Sequence, residues 1–321
     1  MARRNLNRRE QQALDAAQEI VWDAFEADSP KRRLELAARA AAKSEYCADA
    51  LVLLSEHQEP GSERELELLE RAVAGGEAAL GKSFDELEGE FWGWVETRPY
   101  MRARHALAAA LVRRGRIDVA IDHLQAMIRL NPNDNQGIRY ELLGRLVETG
   151  RNADVETLKA AYPDEDMAMW LWPLALLAFK NGGDGAAGRD ALASASASNK
   201  HVAAYLIGGK KLPKALPDYY GVGDVNEAVI YATEAATSWR ATPGAIDWLM
   251  SRQGNAKPAS AKRRQAGRDG PKCRTGRVDP PSEPGVDPFR LSGPRPVFDR
   301  PAARPTSAPR WRRPEWPGWH R

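Results

Sequence analysis

A stretch of about 34 residues constrains the fold of this chain more than any other feature. It begins at Met101 and reads MRARHALAAALVRRGRIDVAIDHLQAMIRLNPND. Apolar and small residues recur at helical spacing on both sides of Gly115, and Pro132 closes the second run. The pattern predicts two short helices that pack on each other as a hairpin.

The spacing within this stretch resembles a tetratricopeptide unit with Pro132 at its closing position. On that alignment the helix-packing positions hold Leu107, Ala108, Leu111, Ala120, Leu124 and Met127. The small Ala108 and Ala120 are predicted to let the two helices approach closely. A looser copy follows about 35 residues later, and a weaker one lies around 174–198. One hairpin cannot bury its apolar face alone, so hairpins must stack. We therefore predict an all-α, tetratricopeptide-like repeat solenoid whose first helices line a concave face.

Helical periodicity and capping residues extend this interpretation over residues 1–250, which we predict to form the helical repeat domain. Ser29, which precedes Pro30, and Ser62, which follows Pro60 and Gly61, are predicted to cap helices. The predicted helices cover 7–27, a segment that starts at Pro30 and includes 34–40, then 48–56, 65–80, 99–114, 116–130, 135–149, 152–161, 166–180, 185–196, 200–207, 225–237 and 243–251. Val-, Ile- and Thr-rich runs with strand alternation are nearly absent, so the sequence predicts no sheet.

Residues 251–321 differ sharply in composition from the residues before them. Prolines recur every few positions and apolar residues are sparse, which predicts a disordered tail. The net charge from Arg252 onward is about +11, although the whole chain carries only +3. This tail could bind nucleic acid, fold back on the acidic body, or be the product of a frameshift; the sequence leaves the three open.

Two cysteines, Cys47 and Cys273, do not make a disulfide framework. The basic N-terminus is not followed by an apolar stretch typical of a secretory signal. The most apolar window, 167–179, is too short to span a bilayer and predicts a buried helix. We expect a cytoplasmic protein with no membrane partner.

Several segments resemble the bacterial branch of the suppressor of tumorigenicity 7 family, whose members contain tetratricopeptide-like repeats. The resemblance rests on CADALVLLSE from Cys47, FWGWVETRPYMRAR at 91–104, LNPNDNQGIRY at 130–140, HVAAYLIGGKKLPKALPDYYGVGDVNEAVIYA from His201, and WRATPGAIDWL. It covers roughly residues 30–250. It implies a helical repeat fold and a scaffold-like role, and it implies no catalytic residues.

Residues 76–83, GEAALGKS, satisfy the phosphate-binding loop pattern. A phosphate cradle needs a strand before the loop, but the preceding residues ELELLERAVAG are helical in pattern. We interpret the match as chance at a helix end and expect no nucleotide or other cofactor.

The aromatic segment at 91–104 has two interpretations. Phe91, Trp92, Trp94 and Tyr100 could form a ligand-facing platform, or the tryptophans could fill the core while Glu96 pairs with an arginine. The second alternative is slightly favoured.

The turn before the fourth predicted hairpin is rich in Asn and Asp, which favours helix caps at Asn133, Asp134 or Asn135. Loop 210–223 combines Lys210, Lys211 and Lys214 with tyrosines. It could contact an anionic partner or serve as a solvated connector, and the connector is favoured.

The five histidines lack metal-ligand spacing, and no nucleophile motif is present, so we predict a non-enzymatic protein. The predicted function is a scaffold that binds a protein or peptide on the concave face; the alternative is nucleic-acid association through the tail. The predicted peptide-binding residues are Arg98, Arg102, Arg104, Arg139 and Tyr140.

Overall fold

The computed structural model describes residues 3–253, and every regular element in that range is helical. The prediction of an all-α chain is therefore confirmed for the described residues. The predicted disordered tail lies almost wholly outside this range, as does Cys273. The described residues divide into two compact units, with the boundary between Leu158 and Lys159, inside helix α9.

The first unit is built from eight helices and the start of α9. They are α1 (Arg8–Glu26), α2 (Pro30–Lys43), α3 (Ala48–Ser55), α4 (Glu63–Leu80), α5 (Ser83–Glu86), α6 (Arg98–Arg113), α7 (Ile117–Leu130), α8 (Ile138–Thr149) and α9 (Asn152–Ala161). Two 3-10 turns, Phe91–Gly93 and Val95–Thr97, lie between α5 and α6. These turns and α5 were not predicted, because segments this short carry no periodicity.

Side-chain caps explain why three of these helices begin where they do. Asn7 accepts hydrogen bonds from the first-turn N–H groups of α1, and the Glu10 carboxylate accepts one from the Asn7 N–H in return. Ser29 caps α2, with Pro30 at its first position, and Ser62 caps α4. The caps predicted at Ser29 and Ser62 are confirmed.

Successive helices of the first unit pack in a regular order. α1 packs on α2 and α3, α3 packs on α4 and α6, α4 packs on α6, α6 packs on α7, and α7 packs on α8. Alanines fill many of these contacts: Ala17, Ala37 and Ala50 have no exposed surface and join α1, α2 and α3 in one core. Ala108 and Ala120, predicted to let α6 and α7 approach closely, are also fully buried.

The second unit continues with five helices. They are α10 (Ala168–Gly182), α11 (Ala186–Ser198), α12 (Val202–Leu206), α13 (Val225–Ala241) and α14 (Ala245–Gln253). α10 packs on α11 and α13, and α13 also contacts α12 and α14. The buried helix predicted at 167–179 corresponds to α10 and is confirmed.

Aromatic side chains form the core of the second unit. The rings of Trp172 and Trp239 lie 6.0 Å apart, and the Trp239 indole N–H donates to the Tyr231 hydroxyl over 2.9 Å. Trp239 lies beyond residue 237, where the sequence pattern predicted the end of the helix. Burial of this indole gives the extra turn of α13 a packing partner.

Candidate functional site

The first helices of the successive hairpins of the first unit share one face, which we call the first-helix face. It is formed by α1, α3, α6 and α8. α1 contacts α3 and α3 contacts α6, and a side-chain hydrogen bond joins α6 to α8. The polar residues that cross it are Gln18, Asp49, Arg102, His105, Glu141 and Arg145.

A two-point salt bridge joins α3 to α6 on this face. Arg102 donates from Nε to Asp49 Oδ1 over 2.8 Å and from Nη2 to Oδ2 over 2.6 Å. The Asp49 side chain is 1% exposed and the Arg102 side chain 23%. The Gln18 amide adds a weaker bond to Asp49 over 3.3 Å, so the interaction reaches α1 as well. Charged hydrogen bonds of this geometry are among the strongest that side chains make.

A second pair continues the line from α6 to α8. His105 Nε2 and Glu141 Oε2 are 2.8 Å apart, and their side chains are 14% and 15% exposed. Burial opposes ionisation of Glu141, but the hydrogen bond and charge of His105, with a contribution from Arg145, lower the pKa of this carboxyl. His105 lies one turn beyond Arg102, so the two pairs are adjacent on α6.

The sequence pattern predicted no metal ligand among the five histidines, His105 included, and did not single out Asp49, Glu141 or Arg145. One signal was present. His105 and Glu141 are 36 positions apart, close to the spacing of about 35 residues at which the sequence predicts a looser copy of the hairpin. No comparable signal identifies Asp49, because a carboxylate in an apolar helix shows no partner in the sequence.

Arg98 lies one turn before Arg102, beside the two 3-10 turns. Its Nε donates to the Trp92 carbonyl over 3.2 Å, and its guanidinium lies 5.4 Å from the centre of the Trp92 ring. Trp92 and Trp94 are half-buried, whereas Phe91 is fully buried. The aromatic segment therefore divides between the core and the surface.

Phe91 forms an aromatic cluster with Phe84 and Tyr100, at ring distances of 4.9 and 5.9 Å. The buried Thr97 hydroxyl bonds to the carbonyls of Phe91 and Trp94 and holds the turns together. Among the described residues, these aromatics fill the place in the core that was predicted for Trp92 and Trp94.

Arg104 points away from the first-helix face, because two residues of helix place it about 160° from Arg102. It donates to the Tyr100 hydroxyl and lies near His123 of α7. Burial, with the nearby Arg104 charge, lowers the pKa of His123 to about 4. The buried Arg104 Nε and His123 Nδ1 have no hydrogen-bond partner within the part of the chain that the structure describes.

Arg139 and Tyr140 lie at the start of α8. Asp134 is buried with φ +44°, and its carboxylate accepts the N–H groups of Ile138 and Arg139 over 2.8 and 2.9 Å. Arg139 bonds to Asp134 and to the Tyr140 hydroxyl, each over 2.8 Å. Gly137 occupies the N-cap position of α8, and of the three proposed caps Asp134 supplies the carboxylate that accepts the first N–H groups. α8 begins at Ile138 rather than near 135, because Gly137 adopts a left-handed conformation.

The structure thus divides the five predicted binding residues among three places. Arg98 and Arg102 are on the first-helix face, Arg104 is beside α7, and Arg139 with Tyr140 holds the turn before α8. The last two groups make local contacts that stabilise the turn and the hairpin.

Residues 76–80 of the phosphate-loop pattern belong to helix α4, and Gly81 ends it. A Cβ on Gly76 would lie 3.1 Å from the Tyr100 Cα, so this glycine lets α4 and α6 approach closely. The expectation that the pattern falls at a helix end is confirmed. No group of three His, Cys, Asp or Glu residues suited to a metal occurs among residues 3–253.

No family model, curated protein or solved structure matches this chain. The resemblance to the suppressor of tumorigenicity 7 family stays a prediction. Within the range that the structure covers, no helix is both long and apolar enough to cross a bilayer.

Proposed function

We propose that this protein is a non-enzymatic scaffold that binds a protein or peptide segment on the first-helix face. The observation that carries the proposal is the line of polar pairs that crosses α1, α3, α6 and α8 on one side of the unit. Because Asp49 pairs with Arg102 and His105 pairs with Glu141, these side chains are held in fixed positions on the face. Arranged side chains of this kind lower the ordering cost of binding.

The order of helix contacts also supports a tetratricopeptide-like stack. α1/α2, α3/α4 and α6/α7 are successive packed pairs, and the first helix of each contacts the first helix of the next. α8 and α9 follow in the same order along the chain. In stacks of this type the first helices line the concave surface, which is where extended partners bind.

The charges on the face suggest the chemistry of its ligand. Asp49 and Arg102 neutralise each other, as do His105 and Glu141 when the histidine is protonated. The half-buried Arg98 on α6, and the half-buried Arg145 on α8, which also pairs with Glu148 over 2.6 Å, supply guanidinium groups beside the line. We infer a ligand with carboxylates or backbone carbonyls spaced to reach both arginines.

The test compares charge reversals on and off the face. Arg145→Glu changes the face, whereas Arg71→Glu makes the same charge change at an exposed position of α4. Tagged full-length chains are expressed in the native host, and co-purifying proteins are quantified by mass spectrometry after circular dichroism has verified folding. We expect at least one partner to be lost about tenfold with Arg145→Glu and retained with Arg71→Glu. Recovery of no partner above a tag-only sample with the wild-type chain would refute the proposal.

The alternative proposal, nucleic-acid association through residues 252–321, rests on the charge of about +11 in that part of the sequence. These residues lie outside the described range, apart from the last two described positions. Electrophoretic mobility shifts with the full chain and with a chain ending at residue 251 test it. Binding that weakens steeply with salt and disappears on truncation is expected; equal binding by both chains would contradict it.

A further inference from the structure

The segment 207–225, which joins α12 to α13 and includes the first residue of α13, carries several exposed apolar side chains. Leu216 is 50% exposed, Tyr219 73%, Val222 66% and Val225 40%. These are four of the seven large apolar side chains exposed among the described residues, and they fall within ten positions of sequence. Scattered apolar residues are normal on a protein surface, whereas exposed apolar side chains concentrated in one short segment indicate an interaction site.

Hydrogen bonds to the start of α13 hold this segment, which we call the apolar loop. Glu227 is fully buried and accepts the Gly223 N–H over 2.7 Å and the Asn199 amide over 2.9 Å. The Asn226 amide donates to the Tyr219 carbonyl over 2.9 Å. These hydrogen bonds therefore hold the backbone on either side of Val222, and the apolar side chains of the loop face solvent.

At the other end of the loop lie three exposed lysines, Lys210, Lys211 and Lys214. None of them forms an ion pair within the described part of the chain, and Lys210 lies 5.6 Å from the Tyr205 ring. The carboxylates nearby are Asp218, which has a contact of its own, and Asp224. Asp224 accepts the N–H groups of Gly221 and Glu227 at the start of α13, so its charge is already compensated.

We propose that the apolar loop is a peripheral docking site for the surface of an anionic lipid bilayer. Lysines attract acidic headgroups, tyrosine favours the headgroup region, and leucine and valine enter the acyl boundary. Docking of this kind needs no spanning helix. It goes beyond the sequence prediction, which excluded a membrane partner from the length of the apolar segments.

Two observations favour a lipid surface over an acidic protein. Stable protein interfaces bury about 800 Å² on each partner, more than four side chains in a short loop present, whereas a bilayer needs no matching shape. Lysine is also depleted at protein interfaces, where arginine is enriched, yet all three cations here are lysines. The proposal is independent of the first-helix face.

Residues 252–321 could recruit the chain to anionic lipid through their own charge, so the test must report on the loop itself. We use the full chain with Cys273→Ser, in which the buried Cys47 is shielded from labelling. An environment-sensitive fluorophore is attached through Tyr219→Cys. The matched control carries it through Met250→Cys, on α14 of the same unit and 54% exposed. The probes are vesicles of phosphatidylcholine alone and of phosphatidylcholine with phosphatidylglycerol.

With the anionic vesicles, we expect the emission of the label at 219 to move to shorter wavelength and its quenching by iodide to fall; the label at 250 should respond to neither. Substituting Lys210, Lys211 and Lys214 with Glu should raise the lipid concentration needed for half of the response at 219 by about 100-fold. This corresponds to about fivefold or more per lysine. The triple reversal Arg8→Glu, Arg9→Glu and Lys31→Glu, at exposed positions of the first unit, should leave it unchanged.

Three results would overturn the proposal. Labels at 219 and 250 that respond alike would assign lipid binding to another part of the chain. An equal response at 219 to vesicles without phosphatidylglycerol would remove the role of the lysines. The third result is that neither kind of vesicle changes the emission or the iodide quenching of the label at 219, while polyglutamate lowers the quenching. That result would identify an acidic polypeptide as the partner.

Discussion

Asp49 and Arg102 are 53 positions apart in the chain, yet two charged hydrogen bonds of 2.8 and 2.6 Å join their side chains between α3 and α6. Removing the arginine alone would leave a carboxylate that is 1% exposed without its cation. We expect Arg102→Met to lower the free energy of unfolding by about 3 kcal/mol or more. Urea denaturation followed by circular dichroism measures the change.

The same cost should not appear when both charges are removed or when an exposed pair is broken. Asp49→Leu combined with Arg102→Met should recover most of the loss, because no unpaired charge stays buried. Arg64→Met breaks the exposed bridge to Glu67 and should change stability by less than about 0.5 kcal/mol. An Arg102→Met chain as stable as the wild type would show that the bridge does not hold α3 to α6.

A second prediction concerns the close approach of α4 and α6. A Cβ at Gly76 would meet the Cα and Cβ of Tyr100 at 3.1 and 3.2 Å, and the helix backbone cannot move away cheaply. Gly76→Ala should therefore lower the free energy of unfolding by about 1–3 kcal/mol, although alanine is the better helix former. Thermal and urea unfolding provide the measurement.

Gly144 is the matched control, since it lies inside α8 and a Cβ added there would meet nothing within 4 Å among the described residues. Gly144→Ala should stabilise the chain by about 0.5–1 kcal/mol through helix propensity alone. If both substitutions changed stability in the same direction, the contact at Tyr100 would not explain the glycine at 76.

The helices of this fold were predictable from sequence because periodicity and caps act locally. Ser29 and Ser62 predict where helices start, and Pro132 predicts where one ends, because each acts on the backbone next to it. The predicted and observed ends of these helices therefore agree to within a few residues.

The side-chain pairs of the candidate site were harder to predict from the sequence than the helices. A charged residue at helical spacing shows which face it occupies but not which distant residue it meets, so Arg102 could be chosen as polar but not matched to Asp49. The sequence also predicted that Arg139 binds a ligand. In the structure Asp134 adopts a left-handed backbone conformation, and its carboxylate pairs with Arg139. Conformations of single turn residues leave only a weak trace in sequence.

A third prediction follows from His123. Burial and the nearby Arg104 charge lower its pKa to about 4, below the ordinary value of 6.5. Between these two values the unfolded chain binds more protons than the folded chain, so the contribution of His123 is complete above about pH 6.5 and is lost as the pH falls toward 4. Because the ring is only partly buried, we expect a loss of about 1–2 kcal/mol.

Urea unfolding at several pH values between 7 and 4 should show the free energy of unfolding of the wild type falling with pH. With His123→Phe, this fall should be smaller by about 1–2 kcal/mol. Proton NMR of the histidine ring provides a direct check, since the His123 signal should not titrate until the pH is well below 6. A His123 signal with a midpoint near 6.5 would contradict the assignment.

The last prediction concerns Cys47, which is fully buried between α1, α2 and α3. Burial, with the charge of Asp49, raises the pKa of its thiol to about 12. At pH 8 only about one molecule in 10⁴ would then carry the thiolate, against about one in four for an exposed cysteine. In a chain with Cys273→Ser, a disulfide-exchange reagent should therefore react more than about 1000-fold more slowly than with free cysteine. Adding urea to the unfolding midpoint should restore rapid reaction of one thiol per chain, because the reagent then reports the opening of this core; rapid stoichiometric reaction in buffer alone would place the thiol at the surface instead.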